Sequence, residues 1–419
     1  MSGEKDSPTN GNQEEELVAN TPDQQNYRGI LIALLVIGAV IGLIMCSIII
    51  LSPPDRGSNF SGTRFTLQDI VGDKFRTPDM EAHWISPTEM AYRDEDNGVS
   101  VLGINNNYTV TKLISYIIFR RHTVHEFHVS PDSGYVLLRH DGGPGHNHIY
   151  LAKYTAIDTM TEHGESISPF PGDESHPLLQ HATWIVNSTA LLLIYRNDIY
   201  YKKSPGSLVV IRLTTSGQDN SDVIYNGITD FIYYKYVLRQ RSALWVSPDG
   251  GMLCYAQFND SEVSSVPILT YGTDDMSLLK LKYPMVDAVN PTVTLFMVDL
   301  RQGNTSHPPE SIEVRPPVRI QRMADHYLTD VKWVDESMIS VVWRNRHQNV
   351  SVTATCTNPF WYCEQVTEEE SDFKRWVIGS KAPVFGHNNS AYVTVAPLVN
   401  DETGTFPHLQ QRSNSYICT

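Results

Sequence analysis

Residues 29–51 read GILIALLVIGAVIGLIMCSIIIL, 23 residues without a charge. A run of that length crosses the hydrocarbon core of a bilayer, about 30 Å thick, as a helix with some tilt. It has no polar face, which argues against a buried helix of a soluble core. A cleaved leader would have a shorter apolar run, nearer the start, ending at a small-residue cleavage site. Here 28 mostly polar residues come first and Pro53-Pro54 follow, so the run reads as an uncleaved signal anchor. Gly38 and Gly42 form a small-xxx-small pair within it, a spacing that admits a second helix but is also common in any span.

The flanking arginines do not orient the span, since Arg28 lies before it and Arg56 and Arg64 after it. The Asn-x-Ser/Thr acceptors do. Asn59, Asn107, Asn187, Asn259, Asn304, Asn349 and Asn388 all follow the span and none precedes it. That bias is expected of a chain whose carboxyl side enters the secretory lumen and is glycosylated there. The expected topology is single-pass type II at the plasma membrane, with a cytoplasmic amino terminus and an extracellular carboxyl-terminal domain. Cysteine usage agrees. Cys356 and Cys363 bracket a short loop, TNPFWY, whose ends could close as a disulfide in an oxidising compartment. Cys46 lies in the span, Cys254 in an apolar strand, and Cys418 next to the last residue.

A net charge of −15 excludes non-specific attraction to nucleic acid or anionic lipid. There is no Gly-rich phosphate loop and no CxxC pair, and no cofactor is expected. Four segments follow: residues 1–28 as a disordered cytoplasmic tail with too few apolar groups to build a core, 29–51 as the anchor, 52–63 as a stalk, and 64–419 as a folded domain.

That domain reads as strands throughout, for example GYVLLRH (134–140), SLVVIRLTT (207–215), GMLCYAQF (251–258) and VTLFMVDL (293–300). No amphipathic helix of useful length follows residue 60. A weak repeat links the strands: HWISPTEMAY, FHVSPDSGYVLL, TWIVNSTALLLI, LWVSPDGGMLCYA, KWVDESMISVV and VFGHNNSAYVTV. Its turn positions are Ser86, Ser130, Val186, Ser247, Asp335 and His387, spaced by 44, 56, 61, 88 and 52 residues. A four-stranded blade needs roughly 40 to 50 residues, so the longer intervals imply insertions. The expected fold is all-β, a β-propeller with about six blade starts visible.

The stretches YNGITDFIYY, SALWVSPDGGMLCYAQFNDSEV and LKYPMVDAVNPTV resemble the dipeptidyl-peptidase IV family, peptidase family S9B. The resemblance implies an eight-bladed propeller followed by an α/β-hydrolase domain. Residues around the span and the stretch VKWVDESMISVVWRNRHQNVSVTATC look more like the non-peptidase branch, the dipeptidyl aminopeptidase-like proteins. For that branch the family implies an auxiliary subunit of A-type voltage-gated potassium channels, engaged through span and tail. Homodimers are also a family habit, through the hydrolase domain and a propeller extension.

The family's peptidases use adjacent glutamates on a short helix to bind the substrate's α-amino group. By resemblance those positions are Tyr234, Lys235 and Tyr236, and the arginine contacting the substrate carbonyl falls at Asn147. A lysine there repels an ammonium group. No G-x-S-x-G occurs, and without a nucleophile there is no acyl transfer. The Cys356–Cys363 pair matches a family disulfide, and the family partner of Cys418 would lie beyond Thr419. The resemblance therefore implies a chain that ends mid-blade, with five to six of eight blades. The expectation is a non-catalytic subunit; the alternative is the propeller portion of a serine-type dipeptidyl peptidase whose catalytic domain is missing from this chain.

Two histidine-bearing stretches invite a metal reading. In RRHTVHEFHV the set His122, His125, Glu126 and His128 cannot converge on a regular strand without a bend, because neighbours face opposite sides. DGGPGHNH, with His146 and His148, reads chiefly as a turn. No metal site is expected from either.

Overall fold

The computed structural model describes residues 27–51, 65–75, 81–105, 107–144, 149–170, 172, 176–219, 223–269, 278–323, 325–371, 375–377, 381–386, 389–400 and 404–413. Two units are distinguished, Met1–Pro78 and Asp79–Thr419. In the first, Tyr27–Leu51 is one helix of 25 residues, long and apolar enough to cross a membrane, with none of its residues buried. An apolar surface on every side of a helix calls for lipid. A five-residue helix, Leu67–Val71, begins at a capping box in which Thr66 and Asp69 satisfy each other's backbone N–H groups. The stalk lies outside the described residues.

The second unit is built of antiparallel sheets in chain order. Four strands lie between Ala82 and Ile114, four between Val124 and Ser166, and four between His181 and Arg212. Five follow between Ile224 and Val314, four between His326 and Glu370, and three between Val384 and Ser413. A separate hairpin, Ser265–Leu269 with Leu278–Lys282, is inserted within the fourth sheet and accounts for the 88-residue interval.

Ser86, Ser130, Val186 and Asp335 fall where the first strand of a sheet passes into the second, and Ser247 falls between Leu244–Val246 and Met252–Asn259; His387 lies outside the described residues. The Ser-Pro-Asp copies close alike. Ser130 Oγ accepts from Tyr135 N at 2.9 Å and donates to Asp132 at 2.6 Å. Ser247 Oγ accepts from Met252 N at 2.8 Å and pairs with Asp249. Gly250 has φ +75°, and a Cβ there would sit 2.5 Å from Val186 O, in the turn of the preceding sheet. Only glycine suits both demands.

Two of the recurring tryptophans tie their sheet to the one before it. Trp184 Nε1 donates to His128 O at 2.9 Å and Trp333 Nε1 to Trp245 O at 3.0 Å, each reaching the equivalent position of the preceding copy. The separations, 56 and 88 residues, are two of the repeat intervals.

The cores lie between successive sheets. Leu137 packs with Leu191 and Leu193 of the third sheet, while Val136 and Leu138 pack with Val99 and Val101 of the first. Leu253 and Tyr255 join Leu192, whereas Cys254 and Ala256 join Val341 and Val352 of the fifth sheet. Both faces of a middle sheet are therefore apolar with period 2, which is why these strands read as continuous hydrophobic runs. Face-to-face sheets in chain order are a propeller-type arrangement. Cys356 and Cys363 lie opposite each other on neighbouring strands, Cα atoms 4.1 Å apart, and form the expected disulfide.

Candidate functional site

The stretch ITDFIYYKYVLRQRS interrupts a strand. Ile224–Asn226 pairs with one end of Met252–Asn259, and Leu244–Val246 pairs with the other. Ala256 bridges the break, accepting from Gly227 N at 2.9 Å and donating to Ala243 O at 3.1 Å. Residues 228–242 therefore form an excursion from the edge of the fourth sheet. Its neck is closed by Thr229, whose backbone N–H and hydroxyl both donate to Arg241 O.

A short helix, Tyr233–Val237, forms the tip. Its turns are widened to π geometry, with Leu238 N donating to Tyr233 O at 2.9 Å. The Asp230 carboxylate accepts from the N–H groups of Ile232 and Tyr233, at 2.9 and 3.3 Å, and so starts the helix. Arg239, at φ +59°, ends it. Tyr233 is fully buried, its ring 4.6 Å from Phe258, and its hydroxyl accepts from Leu328 N in the fifth sheet.

The other three residues of this stretch face outward to different degrees. Lys235 and Tyr236 are exposed, whereas Tyr234 is half-buried with Arg241 5.8 Å from its ring centre. Arg241 also stands 5.2 Å from the ring of Tyr150, and Arg139 lies at the same distance from that ring. The space beside Arg241, lined by Ile149, Tyr150, Gln180, Ile228 and Thr229, is about 10 Å³. One water is the most it holds. Asn147, His146 and His148 lie outside the described residues.

Further into the second sheet, Glu126 accepts from Arg139 at 2.9 Å and meets His128 Nε2 at 3.1 Å. His128 first, then Arg139, hold its carboxyl down at about 2 against the upward push of burial. Burial, with the positive charge of neighbouring Arg139 and Arg241, pushes His181 down to about 4. These groups form a structural ion network in which Glu126 and His128 come together, as their spacing on one face requires, and His125 turns to Tyr150 instead.

The candidate glycosylation sites differ in access. Asn107, Asn187 and Asn304 are exposed in turns, and Asn259 is half-buried at a strand end. Asn349 is buried, with Asn345 Nδ2 donating to its side-chain oxygen at 2.7 Å, so a glycan there would require local opening. Asn59, Asn388 and Cys418 lie outside the described residues.

Residues 130–416 match the family described as Dipeptidyl peptidase IV (DPP IV) N-terminal region. The chain belongs to this family. "Inactive dipeptidyl peptidase 10" of Rattus norvegicus is 33% identical over 396 residues, covering 94% of this chain and 48% of that protein. "Dipeptidyl peptidase 4" of Bos taurus is 32% identical over 333 residues, covering 78% and 42%. The crystal structure of Porphyromonas gingivalis dipeptidyl peptidase 4 superposes with a TM-score of 0.67 at 18% identity, covering 84% of this chain and 48% of that one. That likeness supports the fold alone. The chain spans about half the length of the curated relatives it matches. It corresponds to the propeller region of the dipeptidyl peptidase IV family, and no α/β-hydrolase fold occurs among its described residues.

Proposed function

We propose that this chain is a non-catalytic, membrane-anchored member of the family that serves as an auxiliary subunit of an A-type potassium channel. In this reading its amino terminus is cytoplasmic, its glycosylated propeller is extracellular, and its sheets are about five to six blades of an eight-bladed ring. The carrying observation is the state of the excursion. Where a family peptidase presents glutamates to its substrate's amino group, this chain has Tyr234, Lys235 and Tyr236, and Arg241 lies against the rings of Tyr150 and Tyr234. A guanidinium already engaged by two aromatic faces, with a lysine nearby, opposes capture of an ammonium group. The rat relative whose name calls it inactive matches over nearly the whole chain, span included, which supports a role carried by anchor and tail.

Co-expression with a Shal-class channel tests the proposal. Inactivation and recovery should both change, and a chimera with residues 1–51 replaced should lose the effect. Unchanged currents with the full chain at the cell surface would rule the reading out.

A further inference from the structure

The second sheet holds a cluster that neither the excursion nor its neighbours use. His122 follows the short helix Tyr116–Arg121, and His140 and Asp141 lie on the strand Tyr135–Pro144. One ligand atom from each of the three lies within 4.8 Å of the other two. His122 and Asp141 come from the two stretches that look unable to form a metal site alone, and His140 immediately precedes the second of them.

A bulge creates the convergence. His140 pairs with Lys153 and Gly143 with Leu151, so Asp141 and Gly142 together oppose Ala152 alone. Adjacent residues on a regular strand point to opposite faces, but Asp141 adopts φ +46° and its carboxylate returns to the imidazole of the residue before it. His140 Nδ1 lies 3.1 Å from Asp141 Oδ2. Gly142 keeps the bulge flat against Tyr150, since a Cβ there would sit 2.5 Å from that ring. The His122 ring approaches from the start of the neighbouring strand, its centre 4.4 Å from that of His140.

The unmet valence is on His140. The residue is 4% exposed, and its Nε2 is held by Thr155 Oγ1 at 2.8 Å. Its Nδ1 is shielded from solvent and has no partner in hydrogen-bonding geometry among the described residues. In the tautomer whose proton lies on Nε2 and is donated to Thr155, the Nδ1 lone pair faces the carboxylate oxygen. A cation placed between them turns that opposition into ligation. Holding one ring nitrogen by a hydrogen bond so that the other is free is how proteins orient a metal-binding imidazole.

We propose that His122, His140 and Asp141 form a binding site for a divalent transition-metal ion, zinc being the natural occupant, with water as fourth ligand. Two neutral imidazoles and one carboxylate are a donor set that zinc takes readily, and three protein ligands leave an open position. Tetrahedral zinc needs ligand atoms about 3.3 Å apart. The His140–Asp141 pair already meets that, and closure falls on His122, which is half-buried at the end of a helix. Lys153, 4.0 Å from Asp141 Oδ2, is the resident counter-charge and must swing away when the ion enters.

Full-length protein purified in detergent and stripped with EDTA tests this by calorimetric titration with zinc sulfate at pH 7.5. Binding of one ion per chain is expected, and His122→Ala and Asp141→Asn should each weaken it by about 10-fold or more. Cobalt in place of zinc should give the strong visible absorption of a tetrahedral site, lost in both variants. Asparagine tolerates the left-handed backbone at residue 141, so Asp141→Asn keeps the bulge and decides the matter even where His122→Ala misfolds. Failure of the wild-type chain to bind zinc, or a folded Asp141→Asn that binds as tightly with unchanged cobalt absorption, would overturn the site.

Discussion

Asp198 in the third sheet and Asp260 in the fourth are both buried, 0% and 1% exposed, and the fold treats them oppositely. The Asp198 carboxylate accepts from Arg212 Nη2 at 2.7 Å, Thr214 Oγ1 at 2.8 Å and Asn226 Nδ2 at 3.0 Å. The backbone N–H groups of Gly217 and Gln218 add two more, at 3.0 and 2.9 Å. Asn226 belongs to the fourth sheet, so this carboxylate joins two sheets. Asp260 has no partner for Oδ1 among the described residues. Burial first, then the charge of Asp230, push its carboxyl up toward neutrality, with Lys282 opposing. Burial pushes Asp230 up as well, against the two helix N–H groups it accepts. A joint between sheets is saturated with donors, while the floor beneath the excursion is left short of them. Saturated joints set the scaffold; the under-bonded floor is where stability is given up.

Removing the joint should have the largest effect. Asp198→Ala leaves the Thr214 hydroxyl and the Gly217 N–H buried without their acceptor, takes one of the acceptors of Asn226 Nδ2, and leaves Arg212 without its counter-charge. The expected loss is about 3 to 5 kcal/mol. Urea denaturation followed by tryptophan fluorescence measures it, and a loss no larger than a surface substitution would erase the distinction between the two aspartates.

The floor should respond with the opposite sign. A carboxyl raised in the folded state keeps its proton at pH values where the unfolded chain has already ionised, so the folded state binds more protons. Stability then falls as pH rises from the ordinary carboxylate range toward neutrality. Asp260→Asn has no such proton to hold. It should match the wild type near pH 4 and exceed it at pH 8, by about 1 to 3 kcal/mol, the penalty of an unsatisfied buried polar group. Parallel pH profiles for the two proteins would show that Asp260 is not the strained member.

How much of this was legible in the sequence differs in the same way. The strands and their order follow from local chemistry, because Ser247, Asp249 and Gly250 build their turn from neighbours a few residues away. Tryptophan recurrence marks real contacts, since Trp333 reaches Trp245 at the repeat interval itself. The split strand was not legible. Reading Tyr233–Tyr236 as a segment just before a strand misses that Ile224–Asn226 belongs to the same edge, because the gap is closed by Ala256 of the adjacent strand and by bonds between residues more than ten positions apart, such as Ala243 N to Gly227 O. Arg241 carries no signal for its second partner either; Tyr234 lies on its own excursion, but Tyr150 is brought to it from the second sheet. The convergence of His122 with His140 and Asp141 was hidden by the assumption of regular strands. Alternation puts His140 and Asp141 on opposite faces, and only the bulge, signalled weakly by Asp141-Gly142-Gly143, defeats it.

The smallest effect separates the excursion's anchor from its tip. Tyr233 is the one tyrosine of FIYYKY that is fully buried, and its hydroxyl accepts the Leu328 N–H at 3.3 Å across 95 residues of chain. Phenylalanine keeps the ring against Phe258 but leaves that N–H without its acceptor. Tyr233→Phe should therefore lose about 1 kcal/mol. Tyr236→Phe, at a position 53% exposed, should stay within about 0.5 kcal/mol of wild type. Thermal unfolding of the two variants side by side reads the difference. Equal effects would mean that the helix is held by its neck at Thr229 and Arg241 alone. A loss confined to Tyr233 would mean that one hydroxyl fastens the excursion to the next sheet.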